Sequence, residues 1–301
     1  MPVALQAVLV PLFWSMVFPL SKVIMRDFPP LTLAALRYVL GAAFLTVLAV
    51  RRGGKTELLR LVRRQWPALF ALGLAAIVSN AAQVVGLRFA TAAVGSIIGA
   101  TSPVYSTVLA AVFLRERIGL AQVTGLFLAL AGVSAIALGG PAGSGGTTPL
   151  GVILMFVGAL AYSVYTVLGK RHDASSLPVL AISTWLGVIP LCLAALLVEP
   201  AVPAVAQAGL RSWLALLALA ALPTAIAVIW FFSLVARIGA ARASLILYLV
   251  PVFGLVQSRF LLGERITWPL IVGALVSVVG VAIAQPRGVS GSGRRPDRTP
   301  A

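Results

Sequence analysis

The chain has 301 residues, of which 60% are hydrophobic and 10% charged, and its mean hydropathy is +1.06. So much apolar surface cannot be solvated by a soluble globular domain, and the composition points to a membrane protein. Twenty-three Lys and Arg against seven Asp and Glu give a net charge of +16. In a soluble protein that would suggest nucleic acid, but here the basic residues stand between apolar runs and read as topology signals.

In chain order, ten apolar runs of roughly spanning length follow one another. They cover about 3–25, 31–50, 66–87, 91–113, 120–138, 150–169, 177–198, 213–235, 243–262 and 269–284. They are too long and too uniformly apolar for alternating barrel strands, so each reads as a helix. The first lacks the positive flank of a cleavable signal and is read as a retained span. Residues 286–301 are Gly, Ser, Pro and Arg with almost nothing to bury, and are expected to be a disordered cytoplasmic tail. With the N-terminus inside, sixteen basic residues fall in inner loops and six in outer loops, which places both termini in the cytoplasm.

The stretch 92–138, AAVGSIIGATSPVYSTVLAAVFLRERIGLAQVTGLFLALAGVSAIAL, recurs from Ala240 without a gap. At an offset of 148 residues Ser96 meets Ser244, Pro103 meets Pro251, Glu116 meets Glu264, Arg117 meets Arg265 and Gly132 meets Gly280. The offset extends upstream, pairing Ser15 with Ser163 and Lys22 with Lys170. A fixed self-similarity of this kind implies duplicated halves. The expected fold is therefore an all-α polytopic membrane protein of ten transmembrane helices in two five-helix repeats. Residues 1–140 form the first and 150–285 the second, joined by an outer linker at 141–149. Five is odd, so the second repeat enters the membrane inverted, the usual plan of secondary transporters.

The blocks FWSMVFPLSKVIMRDFPPLTLAALRY from Phe13, TSPVYSTVLAAVFLRERI from Thr101 and LVPVFGLVQSRFLLGERI from Leu249 resemble the EamA type of the drug/metabolite transporter superfamily. Within it the chain is similar to bacterial exporters of aromatic and neutral amino acids, the YddG-like branch. That resemblance implies a carrier of the inner membrane working by alternating access. Its partners would be a small-molecule substrate and the lipid bilayer, with no nucleic acid; the oligomeric state stays open, and a monomer suffices. An anion or phosphorylated-metabolite carrier and a broad-specificity drug exporter are the alternatives.

All seven acids lie in loops, at expected helix ends or in the tail. A proton-coupled exporter of cations needs a carboxylate in the membrane, so the sequence favours a neutral, zwitterionic or anionic substrate. Arg37, about two turns into the second run, either binds a substrate carboxylate or snorkels to the outer interface, and Lys22 carries the same two readings. Asn80 and Gln83, three apart in the third run, share a helix face and point at another helix or a cavity. Trp14, Tyr105, Tyr162, Trp230 and Tyr248 offer apolar surface with one polar handle, suited to enclosing a side chain or to packing. Pro103 and Pro251 bend their helices and free backbone carbonyls, which either contact substrate at a rocking hinge or mark a static kink that shapes the bundle. Glu116 and Glu264 read as corner posts at the N-termini of the helices that follow them. The single Cys192 excludes an intramolecular disulfide, and with the lone His172 in a charged loop no cofactor, metal or catalytic residue is expected. No HExxH motif, paired intramembrane carboxylates or Ser/His constellation supports an enzyme.

Overall fold

The computed structural model describes residues 1–51, 55–99, 147–172, 176–238 and 249–284, with scattered positions between 101 and 131. The described helices are α1 (Val3–Ser15), α2 (Val17–Ile24), α3 (Pro30–Arg51), α4 (Lys55–Gly86), α5 (Ala92–Gly99) and α6 (Pro149–Arg171). After them come α7 (Leu177–Val198), α8 (Ala201–Gln207), α9 (Leu210–Leu219), a π-helical segment (Ala220–Ile226), α10 (Ala227–Ile238), α11 (Leu249–Leu262) and α12 (Trp268–Ala284).

Prolines set the breaks. Pro19 has no N–H for the Ser15 carbonyl, and the helix is interrupted just beyond it, between α1 and α2 at Met16. Gln65, two residues before Pro67, leaves helical geometry at φ −133° and ψ 16°, and divides a basic first part of α4 from its apolar part.

Six segments are long and apolar enough to cross a membrane among the described residues: Val3–Ile24, Pro30–Arg51, Arg63–Gly86, Pro149–Gly169, Leu177–Val198 and Leu210–Phe231. This corrects the expectation of ten spans in two inverted five-helix repeats. The chain is an all-α polytopic membrane protein, but its described helices do not lay out two sets of five. Of the run at 243–262 the described part is α11 with 14 residues, followed by Gly263 at φ +69°, and α12 has 17, so neither described helix has the length of a span. Most of the runs at 91–113 and 120–138 lies outside the described residues.

The bundle is drawn together by glycines that let backbones touch. On α4 and α7, Gly73 and Gly187 face each other so closely that a Cβ on either would strike the other helix's backbone. Ser79 Oγ donates to the Gly158 carbonyl of α6 at 2.8 Å.

At one end of the bundle, acids close helix N-termini that lie far away in sequence. Glu199 accepts from Leu31 N at 3.0 Å, Thr32 N at 2.8 Å and Thr32 Oγ1 at 2.9 Å, opening α3. Glu264 accepts from Ala92 N at 2.9 Å and Ala93 N at 3.1 Å, opening α5, so this corner post serves α5 and not the helix after it. Asp27 accepts from Gly209 N at 3.0 Å before α9. Its bonds to Ser212 and Gly209 hold the Asp27 carboxyl below its ordinary range. Each carboxylate meets unpaired N–H groups at the positive end of a helix dipole. Glu199→Ala therefore removes three bonds at once and is expected to lower stability by roughly 1–2 kcal/mol. A thermal melt in detergent reads this, and an unchanged midpoint would show that water replaces the cap.

Candidate substrate site

Pro223, inside an apolar run, cannot donate to the Leu219 carbonyl four residues earlier, and the helix widens there into the π-helical segment. Thr224 repairs the gap, its Oγ1 donating to that carbonyl at 3.0 Å. The same Oγ1 accepts from Arg37 Nε at 3.0 Å. Trp14 Nε1 donates to the Pro223 carbonyl at 3.0 Å. A node is thus formed by α1, α3 and the π-helical segment, and Gly41 on α3 leaves the room that Thr224 fills, since a Cβ there would stand 2.7 Å from Thr224 Cγ2.

Arg37 does not snorkel. It is 6% exposed, its Cζ stands 5.5 Å from the Tyr38 ring centroid, and its Nη1 is buried without a hydrogen-bond partner. Among the described residues the one ion pair is Lys22 with Glu264, at 3.9 Å. The Arg37 guanidinium therefore has no carboxylate counter-ion there, and its unpartnered Nη1 is a charged donor suited to an external carboxylate.

Asn80 and Gln83 part company. Gln83 Nε2 donates to Ser79 Oγ at 2.9 Å, and a Cβ on Gly158 would stand 2.5 Å from Gln83 Cγ, so Gln83 belongs to the α4–α6 contact. Asn80 is 7% exposed, and its Oδ1 has no partner.

The aromatic residues also divide. Trp14 lies at the node, its ring 5.0 Å from Phe231, and Trp230 stacks on Phe13 at 5.7 Å. Tyr105 is packed in a core cluster, 5.1 Å from Phe156 with Thr101 Oγ1 3.1 Å from its hydroxyl. Tyr162 is 42% exposed and 5.8 Å from Tyr165. Pro251 is buried within α11. Pro103 and Tyr248 lie outside the described residues. The Gly99 carbonyl, which Pro103 cannot serve, is met by Ser102 Oγ at 2.7 Å, and the Ser102 carbonyl by Ser163 Oγ at 2.9 Å. Both are occupied by the protein itself. Sequence reasoning missed Thr224 and Tyr38; the signal for Thr224 was a Pro-Thr pair in the middle of an apolar run.

No group of three or more His, Cys, Asp or Glu that could hold a metal occurs among the described residues. The model of the EamA-like transporter family matches residues 1–138 and 149–284. The chain is 28% identical over 272 residues to the uncharacterized transporter YdfC of Bacillus subtilis, covering 89% of this chain and 86% of that one. It is 30% identical over 283 residues to a protein of Streptantibioticus cattleyicolor named "Probable terminal-alkyne amino-acid exporter", with 91% and 90% covered. A solved crystal structure superposes with a TM-score of 0.63 at 22% identity, over 92% of this chain and 96% of that one, which shows a shared fold. The chain belongs to the EamA-like transporter family: it is a multi-pass membrane protein and a secondary transporter that moves small molecules across the bilayer, not an enzyme.

Proposed function

We propose that this transporter exports amino acids, aromatic or neutral ones, and that Arg37 receives their carboxylate. The observation that carries the reading is the buried guanidinium held by Thr224 on one edge and unpartnered at Nη1, with no described carboxylate beside it. A buried cation is costly in a bilayer, on the order of 2.5–3.5 kcal/mol at a helix centre on insertion scales, and is kept where it has a task. The name of the Streptantibioticus relative agrees with this substrate class. Lys22 is engaged by Glu264, which leaves Arg37 as a single receptor charge and favours one carboxylate over a phosphate dianion. Trp14 and Tyr38 supply apolar faces beside it. The protein works by alternating access in a bacterial inner membrane, with both termini cytoplasmic. Asp27, Glu199 and Glu264 all serve helix ends, so none of these three carries a proton within the membrane.

Counterflow into proteoliposomes tests this. Labelled neutral or aromatic amino acids are expected to exchange without an imposed pH gradient, and sugar phosphates are expected not to compete. Exchange blocked by sugar phosphates and indifferent to every amino acid would overturn the reading.

A further inference from the structure

We infer that Asn80 receives the ammonium group of the substrate, so that the site recognises a zwitterion through one cationic donor and one neutral acceptor. The inference rests on the assignment of the substrate carboxylate to Arg37.

Arg37 Nη1 and Asn80 Oδ1 are both buried and unpartnered; the other such atoms among the described residues are on Gln6, Ser21, Gln257 and Ser258, of α1, α2 and α11. A buried amide oxygen left without a donor is destabilising, and native proteins rarely tolerate one without a reason. The packing around Asn80 places it. Ile77, three residues before it, lies in one cluster with Ala34 and Ala35 of α3. Val84, four residues after it, lies in another with Leu33. Asn80 therefore lies on the face of α4 turned toward α3 and α7, between two residues that share clusters with 33–35 of α3 and with Leu191 and Ala195 of α7. Arg37 is one turn beyond Leu33 on α3. Tyr38, next to Arg37, packs against the same cluster as Ile77 and Ala81, which flank Asn80, so the two orphaned groups belong to neighbouring levels of α3 and α4.

The pair is complementary to an amino acid in both sign and number. A guanidinium edge donates to a carboxylate. An amide oxygen accepts from an ammonium without competing for the guanidinium, as an aspartate at the same position would. An acid there would neutralise Arg37 from within and close the site to carboxylates. A neutral acceptor beside an uncompensated cation leaves both halves of a zwitterion a partner.

The test compares phenylalanine with 3-phenylpropionate, which keeps the carboxylate and ring and lacks the amine, as competitors in counterflow. The wild-type carrier is expected to prefer phenylalanine by about ten- to a hundredfold, the range for one buried bond to a charged group. Asn80→Leu, of similar volume, is expected to bring the ratio near one by weakening phenylalanine alone, and Asn80→Ala is expected to do the same should the leucine variant fail to fold. Arg37→Gln is expected to weaken both competitors together. A wild-type carrier that does not discriminate, or Asn80 variants that retain the ratio or weaken both compounds equally, would overturn the inference while leaving Arg37 in place. Insensitivity of both competitors to Arg37→Gln would overturn the carboxylate assignment, and the inference with it.

Discussion

Arg37→Gln is expected to weaken amino-acid counterflow by about ten- to a hundredfold, leaving a measurable residue, and to raise the thermal midpoint of the protein in detergent. The two effects have opposite signs because the residue makes opposite contributions. Its charge is buried at 6% exposure with no described counter-ion, so folding with it costs desolvation that a neutral side chain avoids. The structure around it survives its loss, since Thr224 keeps its bond to the Leu219 carbonyl and Trp14 keeps its bond to Pro223. What disappears is the charged donor that would receive a carboxylate, worth roughly 1.5–3 kcal/mol as a charge-assisted bond. Arg37→Lys is expected to lie between, because a point charge lacks the fork and one amine must serve both Thr224 and the substrate. Transport and midpoint falling together would instead mark Arg37 as a structural post.

Gly73→Val is expected to prevent assembly of the folded bundle. A Cβ at Gly73 would meet the Ser183 carbonyl oxygen and, at 2.9 Å, the Gly187 amide nitrogen. A Cβ at Gly187 would meet the Gly73 carbonyl. These are backbone atoms of two spanning helices, so neither can rotate away and α4 and α7 must separate. Overpacking of this kind costs at least about 3 kcal/mol, at the upper end for core insertions. Gly99→Ala is the control, because its Cβ meets the Phe18 ring at 3.2 Å and a side chain can give way. The monodisperse fraction on size exclusion reads both. A Gly73→Val protein that elutes and melts as wild type would show that the helices are not held at this contact.

Class and membrane placement were legible because they depend on composition and run length alone. All six candidate spans coincide with apolar runs read from the sequence. The number of spans and the repeat were misread because hydropathy counts apolar residues and not helix length: the described parts of the last two runs form helices of 14 and 17 residues, shorter than a span. Helix caps were illegible for another reason: Glu199 and Glu264 close helices that begin about 170 residues earlier in the chain, and nothing local announces such a partner. At the site, Arg37 and Trp14 stood out as polar atoms in apolar runs. Thr224 did not, because its role depends on the carbonyl that Pro223 orphans and on an arginine 187 residues away. Asn80 and Gln83 were grouped by their spacing of three. That spacing leaves two side chains about 60° apart around a helix, enough for one to serve α6 and the other to lie on the face turned toward α3 and α7.

The central claim is that a substrate carboxylate meets Arg37, and it is tested most directly by changing only that group. Counterflow of a labelled aromatic amino acid is measured in competition with the unlabelled free acid and with its carboxamide, for wild type and Arg37→Gln. The wild-type carrier is predicted to be competed by the free acid and not by the carboxamide at equal concentration, and the residual counterflow of the variant to be competed by the two alike. Equal competition by acid and carboxamide in the wild-type carrier would contradict the account.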